Sequence, residues 1–262
     1  MSKELQSKVA LVTGASRGIG RAIADLLARD GCDCIVVART EKMLHEVAQH
    51  ITTQSGRRVE VCVQDLSTQK GCTALYDQTM QQFGTLDILV NNAGATQGGS
   101  FLEQDDVLWE EGFALKFYAC VRLCRLFWPQ LQKNRGTVVN VVGTFARTPD
   151  PDFMIGGAVN AAMANFTKAL SRLGLRDDIS VNAVYPGLTE TNRVEEIFSM
   201  QAKMRGVSED QIRKDILQTE GIHRLGRPTD VAELVAFLCS PSARHIQGTA
   251  IAVDGGATMS LY

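Results

Sequence analysis

Three glycines, Gly14, Gly18 and Gly20, punctuate the segment Thr-Gly-Ala-Ser-Arg-Gly-Ile-Gly at residues 13–20. An apolar, strand-like run precedes it and a helical spacing follows. Glycine admits unusual backbone angles and lets the main chain come close to a pyrophosphate. A helix opening behind such a loop directs its first amides at negative charge. A glycine triplet by itself often marks only a turn. Its place between strand and helix favours a dinucleotide site formed by Gly14, Ser16, Arg17, Gly18, Ile19 and Gly20.

The type of dinucleotide is legible a little further on. An acid at the end of the second strand would bind the ribose 2′-hydroxyl of NAD. That position holds Ala38, followed by Arg39, and Arg17 lies in the glycine loop. Guanidinium groups grip a phosphate bidentately, so Arg17 and Arg39 suit the 2′-phosphate of NADP(H). The plain alternative is two solvated surface arginines.

These residues need a scaffold, and the chain supplies an alternation of strand-like and helical runs. That rhythm predicts an α/β fold: one doubly wound, Rossmann-type parallel sheet with helices on both faces. Strands are expected over residues 8–13, 34–38, 59–63, 86–90, 136–142, 181–184 and 250–253, with the first helix over 21–29. The run Asp87-Ile88-Leu89-Val90 suits a strand buried on both faces. Residues 189–224 break the rhythm. They are polar, charge-mixed and helical in pattern, and read as a substrate lid within a single domain spanning 1–262.

Composition narrows the function classes. The chain has 262 residues, 45% hydrophobic and 21% charged, with a net charge of −2. Nothing in that balance advertises nucleic acid or an anionic membrane. No apolar run is long enough to span a bilayer, and the polar start, Met1–Lys8, lacks a signal-peptide core. A cytoplasmic location is expected. The seven cysteines show no metal-ligand spacing with histidine, so they read as buried thiols and no metal is expected.

More motifs follow in order. Asp65-Leu66 closes the third strand and Asn91-Asn92-Ala93-Gly94 the fourth. Pro186-Gly187 closes the sixth, with Thr189 and Thr191 just beyond. Gly226-Arg227-Pro228 and Val253-Asp254-Gly255-Gly256 come near the end. With these in place the chain resembles the short-chain dehydrogenase/reductase family over nearly its whole length, the lid being the poorest match. The resemblance implies that Asp65 and Leu66 lie at the adenine and that Asn92, Ala93 and Gly94 shape the sheet and the cofactor floor. It also implies that Pro186, Gly187, Thr189 and Thr191 hold the nicotinamide carboxamide. It further implies a small-molecule substrate and a homotetramer using helices around Phe113–Leu126 and Ala161–Leu173.

The same resemblance exposes a departure. The family's serine, tyrosine, lysine and asparagine register here on Gly143, Gly156, Asn160 and Lys116. Lysine and asparagine have exchanged places, as in polyketide-synthase ketoreductase domains, but those domains keep their serine and tyrosine. Lys116 becomes the leading proton donor, and Asn160 takes over the nicotinamide ribose. Thr144, Asp150, Asp152 and Tyr185 are nearby substitutes, and Tyr185 would fill the hole left at Gly156. The bland alternatives are a surface lysine and a packing tyrosine, with His223 and His245 on the surface. Gly143 and Gly156 are expected to enlarge the pocket. Two functions follow: an NADP(H)-dependent oxidoreductase acting on a carbonyl or alcohol through an altered site, or an NADP-binding protein without redox activity, such as a scaffold, lyase or isomerase.

Overall fold

The computed structural model describes residues 5–94 and 96–260. Residues 1–4 of the polar start and the last two residues of the single-domain span lie outside the described residues. Seven strands form one parallel sheet in the order β3-β2-β1-β4-β5-β6-β7. They are β1 (Val9–Thr13), β2 (Asp33–Ala38), β3 (Val59–Val63), β4 (Ile88–Asn91), β5 (Thr137–Val141), β6 (Ser180–Pro186) and β7 (Ala250–Val253). The doubly wound expectation holds, with strand ends shifted by one or two residues. At β6, Tyr185 and Pro186 pair with Ala252 and Val253 and extend the strand by two residues.

Two apolar layers cover the sheet. On one face α1 (Gly18–Arg29), α2 (Glu41–Ser55) and α9 (Pro228–Cys239) pack Ile23, Leu27, Leu44, Ile51 and Val235 onto Val12, Val36, Val90 and Val139. On the other, α3 (Gln69–Phe83), α5 (Ala119–Asn134) and α6 (Met154–Asp177) bring Leu75, Leu123, Phe127 and Met163 onto Leu11, Leu89 and Val181. All five residues of β1 and of β5 are buried, as a two-faced parallel sheet requires. Strand order reverses between β1 and β4, and the crevice beyond their carboxyl ends is where such sheets bind ligands.

Residues 189–224 hold two helices, α7 (Asn192–Arg205) and α8 (Glu209–Glu220). They share a small core of Val194, Phe198, Ala202 and Ile212 with Leu225. A single bridge, Thr189 to Gly226, ties the two ends of the segment together. Among the described residues no helix is long and apolar enough to cross a membrane.

One side chain locks the crevice. The buried Thr13 hydroxyl accepts the backbone N–H groups of Asn92 and Ala93, each at 2.9 Å, and donates to Val90 O at 3.3 Å. Asn92 replies by donating Nδ2 to Thr13 O at 2.9 Å. The ends of β1 and β4 are thus fixed to each other by side chains beyond the last ladder bond. Thr13→Val keeps the shape and strands two amide donors, so it should cost about 1–3 kcal/mol of stability. The check is a thermal melt of purified protein, in which an unchanged midpoint would show that water replaces the hydroxyl.

Candidate active site

The glycine loop is built by exclusion of side chains. Gly14 has φ +67, and a Cβ there would lie 3.0 Å from Ala93 Cα. A Cβ on Gly20 would fall 2.3 Å from Gly14 O, so only glycine lets α1 start this close to the loop. Gly18 meets the turn after β6: its Cβ would sit 3.2 Å from Thr191 Cγ2. Residues 14–20 and 186–191, far apart in sequence, therefore meet at the crevice. The N-terminus of α1 has no side-chain cap and no acid in its first turn, and Arg17 stands at the cap position. Free amides and a basic side chain at a helix N-terminus are the donor set an anionic pyrophosphate needs.

The remaining expected cofactor residues fall at the ends of β3 and β6 or, for Leu66, in the core. Asp65 accepts Ser67 N–H at 3.0 Å and the Ser67 hydroxyl at 2.8 Å, which hold its carboxyl below the usual range, with Arg39 adding to the effect. Leu66 is buried in the core under α3 and α5. Thr189 donates its hydroxyl to Gly187 O at 3.0 Å, and Pro186 and Gly187 turn off β6. Arg17 and Arg39 are exposed at the crevice, but not free of acids: Glu196 lies 4.0 Å from Arg17, and Asp65 acts on Arg39.

Lys116 and Asn160 meet. The Lys116 ammonium donates to Asn160 Oδ1 at 2.6 Å and to Val142 O at 2.5 Å. Lys116 sits in a π turn, Ala114–Tyr118, wedged between α4 (Asp106–Phe113) and α5. The extra residue in that turn is a common way for a helix to aim one side chain. Room for the lysine stem comes from Gly94, where a Cβ would lie 2.9 Å from Lys116 Cδ. The residue is half-buried overall, but its ammonium is enclosed. Desolvation, assisted by repulsion from Arg193, brings its pKa down to about 8. Asn160 is buried, and a Cβ on Gly143 would lie 2.9 Å from its Nδ2. Gly143 also has φ +138, which a side chain would strain.

The expectation of an enlarged pocket is corrected here. The volume beside Gly156 is full: a Cβ there would lie 1.9 Å from Phe153 Cε1. Phe153 packs on Phe145 with ring centroids 4.8 Å apart. Nor does Tyr185 fill that space. It is buried in the core under the Arg147 guanidinium, 4.8 Å from its ring centroid, and desolvation pushes its hydroxyl pKa up. Thr144 opens the short turn after Gly143, and its carbonyl accepts Arg147 N–H at 2.8 Å. Asp150 accepts Asp152 N–H at 2.7 Å and caps the turn leading to Phe153. His223 and His245 are exposed. Sequence reasoning missed Phe153, the Thr13 clamp and Arg193. Arg193, on the first turn of α7, donates to Thr96 O above the crevice.

Comparison with known proteins now fixes the class. The family model described as short chain dehydrogenase matches residues 8–202. The chain belongs to the short-chain dehydrogenase/reductase family. It is 32% identical to the 3-oxoacyl-acyl-carrier-protein reductase FabG of Haemophilus influenzae, over 98% of this chain and 100% of that one. L-sorbose reductase from Gluconobacter frateurii, solved with NADPH and L-sorbose, superposes with a TM-score of 0.96 at 32% identity, covering all of both chains. A variant of the actinorhodin polyketide ketoreductase, solved with NADPH, gives 0.92 at 30% identity, covering 99% of this chain and all of that one.

The packing around Gly156 carries a prediction. Gly156→Tyr would drive a phenol into the Phe153 ring and should destabilise the fold by about 1–3 kcal/mol, as overpacking does. Combining it with Phe153→Ala should recover part of that loss. A thermal melt in which the single tyrosine variant is as stable as the parent would show that Phe153 swings away freely.

Proposed function

We propose that the protein is an NADP(H)-dependent oxidoreductase that interconverts a small carbonyl compound and its alcohol, with Lys116 in the role of proton donor. The observation that carries this is the enclosed Lys116 ammonium fastened to Val142 O and Asn160 Oδ1. An ammonium has three N–H donors. Two are held, and the third is left for a carbonyl oxygen. The cofactor, when bound, supplies or accepts the hydride at the carbonyl carbon. Lys116 gives its proton to the oxygen as the alcohol forms, and takes it back in the reverse direction. Asn160 is a positioning residue: it fixes the ammonium through Oδ1 and offers Nδ2 to the nicotinamide ribose. Thr144 and Tyr185 remain the second choices for the proton. The NADPH complexes of the sorbose reductase and the ketoreductase support the choice of cofactor.

Several further assignments belong to this reading. Residues 189–224 act as the substrate lid, and the acceptors on Asp65 meet the adenine. The assembly is a homotetramer, for which the exposed Tyr118, packed on Phe117, which in turn packs on Phe166, supports an interface on α5 and α6. Seven free, buried cysteines suit a reducing compartment, and we place the protein in the cytoplasm. A second reading has its own support. Phe153 fills the volume beside Gly156, the position read as that of the family's tyrosine, which fits a chain that binds NADP without turning it over.

The absorbance of NADPH distinguishes the two readings. With a panel of ketones, quinones and enones, consumption of NADPH supports the reductase, whereas tight binding without consumption supports the second reading. Reduction needs protonated Lys116, so its rate should fall as pH rises through about 8, and oxidation of the alcohol should rise over the same interval. Lys116→Met should lower kcat by about 100-fold or more and abolish that limb of the profile, with NADPH affinity nearly unchanged. A variant with full kcat would make the lysine a bystander.

Cofactor choice is tested separately. Arg39→Asp places a carboxylate where the 2′-phosphate is expected. It should weaken NADPH by about 1.5–3 kcal/mol, the value of a charged hydrogen bond, and leave NADH nearly unaffected. Fluorescence titration showing that the parent prefers NADH would overturn the assignment of Arg17 and Arg39.

A further inference from the structure

The first turn of the lid carries a cation that hydride and proton transfer do not require. Arg193 reaches from α7 to the carbonyl of Thr96, on the loop that follows Gly94. Gly94 is the residue against which the Lys116 stem packs. Arg193 is near enough to Lys116 to weaken its hold on a proton, and Arg17 does the same to Arg193. Three cations from three separate elements thus converge on the mouth of the crevice.

Their counter-charge is thin. Lys116 bonds to a carbonyl and an amide, both neutral, and Arg193 to a neutral carbonyl. Glu196, one turn along α7, is exposed, stands 4.0 Å from Arg17 and offsets part of the charge of Arg193 without pairing with it. Among the described residues neither Lys116 nor Arg193 forms an ion pair. Desolvated like charges raise the free energy of a site until an anion completes it. Cofactor phosphates would answer Arg17 at the start of α1 and Arg39 after β2. They leave the cation between Thr96 and Lys116 unanswered.

We infer that the substrate is an oxo acid or the matching hydroxy acid, its carboxylate gripped by Arg193 while its carbonyl faces Lys116. This rests on the oxidoreductase reading. A guanidinium has five N–H donors, so Arg193 can keep Thr96 and still present two parallel bonds to a carboxylate. The residue is exposed overall, so a ligand can reach it before any closure of the lid. Arg193 is therefore a specificity-determining residue, and neutral ketones of the same size are poor ligands.

Binding can be measured without turnover. Protein saturated with NADP⁺ is titrated by calorimetry with pyruvate, acetoacetate and levulinate, each beside its methyl ester. At least one acid should bind about 10–100-fold more tightly than its ester, as expected for one charged, bidentate contact. Arg193→Met should remove that preference and Arg193→Lys restore part of it, with NADP⁺ affinity unchanged in both. No preference in any pair overturns the inference. So does an Arg193→Met variant that weakens NADP⁺ while keeping the preference, since Arg193 then serves the cofactor's phosphates. The two readings fail separately. Brisk NADPH consumption with neutral ketones and no acid preference removes only the oxo-acid assignment, whereas acid preference in a protein that never consumes NADPH removes only the reductase.

Discussion

A positive charge taken out of water must be solvated by the protein or given up, and the Lys116 ammonium sets the terms for everything around it. Its ligands are a carbonyl and an amide, so each must be spare. Val142 O is spare because β5 ends at Val141, although Val142 still donates its N–H to Val184 O. Asn160 Oδ1 is spare because the buried asparagine turns its amide away from its own helix and towards Gly143. The stem reaches them only because residue 94 has no side chain and because the π turn rotates position 116 towards the sheet. Four elements, β4, β5, α6 and the turn before α5, are thereby committed to one side chain.

The cofactor edge works by a different economy. There the chain places small residues and a hydroxyl so that backbone can approach backbone. Thr13 gathers the amides of Asn92 and Ala93, Gly20 lets α1 begin against Gly14 O, and Gly18 receives Thr191 from the turn before α7. Behind this edge, a buried chain in which the Asn91 amide donates to Asn140 and the Asn140 amide to the Thr167 hydroxyl ties β4, β5 and α6 together at 2.9 and 2.8 Å. A site assembled from strand ends in this way inherits the rigidity of the sheet.

Much of this was legible in the residues. Two-faced strands announce themselves by uninterrupted apolar runs, and the glycine loop by its place between strand and helix. That β6 runs on through Tyr185 and Pro186 as a paired strand was less legible, because their pairing depends on β7, which arrives more than sixty residues later. The meeting of Lys116 and Asn160, 44 positions apart, was foreseeable only through family positions. Phe153 was invisible for a deeper reason. Whether an aromatic ring lies over a glycine three residues later depends on the turn at Pro151–Phe153 and on Phe145, not on the type of either residue. Arg193 was hidden among the mixed charges of residues 189–224, and only the fold shows it leaning on Thr96.

The ring of Phe153 over Gly156 also bears on how such a chain can change over generations. Ring and void are complementary, so each residue sets the cost of altering the other. A phenol cannot enter before the ring leaves, and a ring that leaves first forfeits its packing on Phe145 and uncovers a gap beside Gly156. Any mutational route from this site to one with a tyrosine at that place runs through a less stable intermediate, whichever step comes first. The packing thus acts as a ratchet: glycine at 156 persists through the shape of its neighbours, independently of whether selection favours the chemistry there.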